Sequence, residues 1–178
     1  MKTFNDLYTT LLGVTRRPDK VAISKKAIVE ATLKAHRTEF FEPDYKSVEL
    51  TVESGPTDVS GYRIRSIHKI QQNNIILSEP SFPTSLPLPE NYFYFIQPFF
   101  LFFFSVGSKC KVWYFEYPIV SETNYNSWIA DEYEDMIISE AAMRVFMDVG
   151  KNDAINFHAK LVKDARDSLI REKLFKPL

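Results

Sequence analysis

Three histidines, one cysteine, a run of carboxylates and a pair of arginines are the side chains of this 178-residue sequence whose types could do chemistry. A zinc site needs converging ligands, such as two histidines one helical turn apart or paired cysteines. His36, His68, His158 and the solitary Cys110 offer neither spacing. The histidines fall in a predicted helix, strand and helix. Cys110 lies in a strand-like run, where a lone cysteine acts as a small apolar group without a partner for an intramolecular disulfide. The sequence contains no P-loop, dinucleotide fingerprint or nucleophile elbow, and its five glycines leave little from which to build a phosphate-cradling loop. The acidic run Asp131, Glu132, Glu134 and Asp135 has the composition of a paired-carboxylate site. Its place at a predicted helix start has a simpler account, because carboxylates there complement the positive end of the helix dipole. Arg16 and Arg17 could touch phosphate, but two adjacent arginines in a turn are weak evidence. These residues predict no catalytic, cofactor-binding or metal-binding set. An enzyme with a site dispersed through the chain is the chemical alternative.

The elements that would position any site are legible from hydrophobic period and punctuation. Residues 127–174 dominate. In their first half Tyr133, Met136, Ile137, Ile138, Ala141, Ala142, Met143, Val145, Phe146 and Met147 occupy nearly every angle around a helix axis, so the helix needs cover on all sides. Its own domain supplies one face, and the preceding strands or a neighbouring copy would supply the other; the alternative is a central helix buried inside one monomer. Gly150 fits the left-handed position that ends this helix, and Asp153 is placed to cap the next. There Ala154, Phe157, Leu161, Ala165 and Leu169 recur every three or four residues and predict the buried stripe.

At the other end Thr3 can cap a short helix carrying Phe4, Leu7, Tyr8, Leu11 and Leu12, with Gly13 placed to stop it. Pro18 and Asp19 suit the first turn of a second helix reaching to about His36. Its stripe is Ala27, Ile28, Ala31 and Ala35, with Lys25, Lys26, Glu30 and Lys34 on the solvated side. Between the helical ends the period shortens: residues 47–52 alternate, and Tyr62, Ile64 and Ile67 sit in a second strand-like run. Residues 53–61 read as a loop, and residues 78–90, with Pro80, Pro83, Pro87 and Pro89, as an exposed extended arm. Residues 92–106 are the most apolar stretch. They fall short of the ~20 residues that span a bilayer and are broken at Gln97 and Pro98, so they predict two strands. Gly107 to Lys109 then predicts a hairpin turn into a strand over 110–117, ended by Pro118.

The predicted fold is therefore α+β: a bundle of four helices, two N-terminal and two C-terminal, with an inserted antiparallel sheet. It is divided as one domain with helices over 1–46, the β region over 47–120, and the helical hairpin and tail over 121–178. With 22 Lys and Arg against 23 Asp and Glu, no global positive field is available to grip nucleic acid. Any such contact would be loose or local. Fifteen Phe, nine Tyr and two Trp provide large apolar groups beyond what one core would hide, which favours an oligomer. The single cysteine and the polar start of the chain suggest a reducing compartment without export.

Two segments resemble the head–tail adaptor (connector, or neck) proteins of tailed bacteriophages. One is the opening TRRPDKVAISKKAIVEATLKAHRTEFF. The other is the strand end YFEYP, with Tyr117 before Pro118, running into SWIADEYEDMIISEAAMRVFMDVG and a long final helix. The resemblance implies a structural virion protein made in the host cytoplasm, without catalysis or cofactor. It implies a homo-oligomeric ring, commonly of twelve copies, between the portal protein and a tail or nozzle protein, with DNA passing through the lumen and no membrane partner. The subunit interface of such a ring would draw on Trp128, Tyr133 and Phe146 and, in the proline-rich arm, Phe82, Leu86 and Leu88. Portal docking would fall to the apolar, cationic chain end, Arg171, Leu174, Phe175, Lys176, Pro177 and Leu178. Two alternatives stand beside it: a neck or tail-completion protein that does not touch the portal, and a peripheral membrane protein using the aromatic strands.

Overall fold

The computed structural model describes residues 1–52, 56–73, 75–77, 93–96, 99–102 and 107–176, with backbone alone considered at 94–96 and 99–102. Its helices and strands run α1 (Phe4–Thr15), α2 (Val21–Thr38), β1 (Tyr45–Thr51), β2 (Thr57–Asp58), β3 (Ile64–Gln72), β4 (Ile75–Leu77), β5 (Phe93–Ile96), β6 (Phe99–Phe102), β7 (Lys109–Glu116), β8 (Ile119–Val120), β9 (Tyr125–Asn126), α3 (Trp128–Glu132), α4 (Glu134–Asp148) and α5 (Asn152–Lys173). This is a mixed helix-and-sheet architecture with antiparallel strands inserted between helical ends. It forms two compact units, Met1–Pro43 with Pro118–Leu178, and Asp44–Tyr117, so the insertion begins and ends at positions 44 and 117.

In the helical unit Thr3 caps α1 through a reciprocal capping box with Asp6. Gly13 does not stop this helix. The chain continues for two more residues and ends on Arg16 in the left-handed region (φ 53°), whose N–H donates to Leu12. Pro18 opens a single 3-10 turn that leads into α2, and Ala27, Ile28, Ala31 and Ala35 are buried as their spacing predicts. The small side chains bring α2 close to α4, and Lys34–Glu140 and Arg144–Glu30 pair across the contact.

The C-terminal half holds three helices where two were expected. Ser127 caps α3 by accepting from the Ala130 N–H, and Tyr133 then leaves helical geometry (φ −131°, ψ 46°) before α4 begins. Met136, Ile137, Ile138, Ala141, Ala142, Val145 and Phe146 of α4 are all buried, along with Ser139 and Glu140. Their cover comes from within this unit, because α4 packs on α1, α2, α3 and α5. No second copy is needed to hide the helix. Gly150 adopts φ 69° and ends the helical turn, as its position predicts. Asp153 does not cap α5; the helix starts at Asn152 after Lys151, leaving Asp153 in the first turn as a charge favourable to the dipole.

In the β unit the four-stranded sheet has the order β1-β7-β3-β4, all antiparallel. Leu50, Ile70, Leu77, Cys110, Val112 and Tyr114 pack on one face with Val52, Val59, Ile64 and Phe93. Among the described residues, the hairpin expected between the apolar run and 110–117 is not seen at 99–102. β6 pairs with β5 and β2 in a separate three-stranded sheet, whereas β7 lies between β1 and β3. The difference follows from pattern: 109–112 alternate polar and apolar, as does β1, and Ile64 and Ile70 of β3 join the same core, so these strands share a one-sided core that the unbroken Phe run cannot match. Thr57–Asp58 forms strand β2 within the stretch expected to be loop. The arm predicted over 78–90 lies outside the described residues.

Candidate docking site

Residues 171–176 lie where the last turn of α5 meets the segment after α2. Arg171 is exposed and its Nε donates to the Asp167 carbonyl at 3.2 Å. Lys173 pairs with Glu132 at 2.7 Å, and that hydrogen bond holds the ammonium pKa above its usual value. Leu174 caps α5 by donating to the Ile170 carbonyl and forms an antiparallel bridge with Phe41; the Phe175 N–H donates to the Phe40 carbonyl at 2.8 Å. Phe41, at 1% exposure, is among the most buried residues of the unit. Leu174 and Phe175 therefore tie the end of α5 to its own helical unit. Residues assigned to docking thus also take part in the fold of their own unit, because this short backbone pairing satisfies groups that α5 leaves open at its C-terminus. Lys176 is exposed, and Pro177 and Leu178 lie outside the described residues.

The candidate interface residues are engaged in the same way. The Trp128 ring meets His36 and Phe41 edge-on at 5.8 and 5.7 Å. Phe146 is buried and stacks on His158 with centroids 5.6 Å apart. The Tyr133 hydroxyl donates to Glu172 at 2.7 Å; burial, and then that carboxylate, push its pKa up to about 12. Each of these three spends contact surface within its own unit. Phe82, Leu86 and Leu88 lie outside the described residues.

Two of the large apolar groups that face solvent, Phe157 and Leu161, belong to the stripe expected to be buried. Phe157 is 62% and Leu161 39% exposed, one turn apart on the same side of α5, while His158, Val162 and Leu169 face inward. Ala154, Ala165 and Leu169 of the expected stripe do pack on the core, but its large members Phe157 and Leu161 give their place to His158 and Val162. The signal was present in His158 and Val162, but a histidine at a core-facing position scores as polar in any hydrophobic count. Met147, at 58% exposure, is a further large apolar group left open on α4.

Chemical groups come together in one buried place. His36 Nε2 lies 2.9 Å from Ser127 Oγ, and Thr32 Oγ1 lies 2.7 Å from the Tyr125 hydroxyl, joining α2 to the start of α3. A histidine next to a serine has the outline of a base and nucleophile. Here both residues are under 4% exposed, and Ser127 Oγ is the cap of α3. The pair fixes a helix start. Burial pushes the Tyr125 hydroxyl up to about 12, and the bond from Thr32 opposes the shift. Among the described residues no group of three or more His, Cys, Asp or Glu is arranged to hold a metal ion. Cys110 is buried, its thiol pushed up to about 11 by desolvation. In the acidic run Asp131 lies in the first turn of α3 and Glu134 and Asp135 in that of α4, while Glu132 pairs with Lys173, Glu134 with Lys2, and Asp131 accepts from the Lys2 N–H. Arg17 grips Asp19 with two hydrogen bonds of 2.7 and 2.6 Å. Among the described residues no helix is long and apolar enough to cross a membrane. No family model matches the chain, and no curated protein matches it significantly.

Proposed function

We propose that the chain is a structural protein of the virion neck of a tailed bacteriophage, a head–tail adaptor that assembles as a closed ring below the portal and encloses the DNA passage. In this reading α1, α2, α4 and α5 are the four-helix body of each subunit, the β unit is an insertion into it, and no catalytic activity is required. The observation that carries the reading is the Phe157–Leu161 ridge of α5, apolar surface exposed on a unit whose core is otherwise closed. A ridge of this kind, seated on a different surface of the next copy, gives the heterologous contact from which rings close. Native mass spectrometry of the protein with portal particles tests it. A ring with the portal's copy number is expected, and absence of the protein from purified virions overturns the reading.

The engagement of Leu174 and Phe175 with Phe40 and Phe41 favours one second reading, a neck or tail-completion protein that does not touch the portal. Co-sedimentation with tail-less portal particles separates the two.

A further inference from the structure

The four-stranded sheet has a second face, opposite its core, and its residues follow from the register. Trp113 of β7 lies between Ser47 and Lys69, Lys111 between Glu49 and Gln71, Lys109 lies opposite Thr51, and Ile76 is the partner of Gln71. The ammonium groups of Lys69 and Lys111 come to 5.1 and 5.0 Å from the centre of the Trp113 ring. Only Lys109 of the three lysines has a carboxylate within ion-pairing distance among the described residues, Glu49 at 2.7 Å. Beside the ring the surface dips into a concavity of about 390 Å³ lined by Glu49, Gln71, Asn73, Lys109, Lys111 and Trp113, among others. Ile76 stands 60% exposed on the same face.

We propose that this face of the β unit binds single-stranded nucleic acid, with a base stacked on Trp113 and the neighbouring phosphates held by Lys69 and Lys111. Three ammonium groups against one carboxylate make the patch locally cationic in a chain of net charge −1, so an anionic strand complements this face and not the whole molecule. The aromatic ring decides which anion. An acidic peptide would use the lysines and leave the indole idle, and a duplex keeps its bases turned inward. An unpaired strand uses both: the phosphates draw the two ammonium groups off the ring, and the exposed indole face takes a base in their place. Asn73 and Gln71 line the same concavity with groups able to hydrogen bond to a base edge or sugar. The inference concerns the β unit alone and stands apart from the neck reading.

Titration of the full-length protein with oligothymidylate and with oligouridylate tests this, followed by intrinsic fluorescence and by anisotropy of a labelled strand. Saturable quenching is expected that weakens as salt rises, with either sugar; preference between the two strands identifies the natural one. Trp113→Phe should remove the quenching, since Trp128 is packed against His36 and Phe41 and is no part of the sheet face, and Lys69→Glu with Lys111→Glu should raise Kd by about tenfold or more. All three substitutions are at residues outside the core cluster, so melting should stay at the wild-type temperature. The proposal is overturned if no strand binds, if duplex DNA or polyglutamate binds as tightly as the single strand, or if the double charge reversal leaves the anisotropy curve unmoved.

Discussion

Gly150 and His158 show how single positions carry stability here. Gly150 has φ 69°, and a Cβ placed on it meets nothing within 4 Å, so the cost of a side chain is in the backbone alone. Gly150→Val should destabilise by about 1 kcal/mol or more, with Gly150→Asn milder, because asparagine tolerates the left-handed region. Equal melting temperatures for all three proteins would refute the cap. His158 is buried between the Phe146 and Phe157 rings, and desolvation lowers its pKa below 6.5. The unfolded chain therefore binds the proton first as pH falls. The stability gained from neutral His158 is complete above about pH 6.5 and is lost as the pH drops through the lower folded value, with a slope of at most about 1.4 kcal/mol per pH unit. His158→Leu should flatten thermal stability between pH 7 and pH 5. A variant whose pH profile parallels the wild type would place the effect elsewhere.

For the elements, the phase of α5 and the α2–α4 contact make the sharpest claims. Leu169 is 1% exposed and Phe157 is mostly open. Leu169→Ala should cost roughly 2–5 kcal/mol and Phe157→Ala no more than about 0.5, read from chemical denaturation. A Phe157→Ala as costly as Leu169→Ala would restore the stripe expected from spacing alone. Between α2 and α4, the Glu140 carboxylate is 10% exposed and is held by Lys34, whose own side chain stays half in water. Removing the lysine leaves a nearly buried charge unpaired, whereas neutralising the acid leaves a cation that can hydrate. Lys34→Ala is accordingly expected to lose about 1–3 kcal/mol and Glu140→Gln less. A double-mutant cycle with no coupling would remove this pair from the account of the contact.

On the scale of the whole molecule, the proposed ring turns on which surfaces are left over after each unit has closed its own core. Phe157→Asp with Leu161→Asp should leave melting and helical content at wild-type values and abolish ring formation; a double variant that still closes rings would move the interface off α5. The chain end can be divided by truncation. Removing residues 176–178 should spare the fold, while removal from Lys173 onward also strips the Glu132 ion pair and the backbone tie to Phe40 and Phe41, and should lower the melting temperature. Were the longer truncation as stable as wild type, Leu174 and Phe175 would be free for a partner after all.

The Thr3 cap, the Gly150 turn and the alternating strands depend on neighbours a few residues apart, and these the sequence by itself determined, although Gly13 and Asp153 did not take the roles their positions suggested. Thr3, Gly150, the small stripe of α2, and the alternation of β1 and β7 are local patterns whose physics is complete within one or two turns or a short strand. What only the tertiary structure decided depends on partners far along the chain. An apolar residue is exposed or buried according to what packs against it, so α4 proved to be covered by its own unit, and Phe157 and Leu161 open, on contacts no window of sequence contains. Strand pairing has the same character. The 109–116 strand joins 45–51 and 64–72, not the adjacent Phe run, because matching one-sided faces outweigh nearness in sequence. That pairing also sets Lys69 beside Trp113, residues 44 positions apart by subtraction of their numbers and unrelated by any local spacing. A binding face of this kind is written in register, and register is settled only when the core on the other side of the sheet is buried.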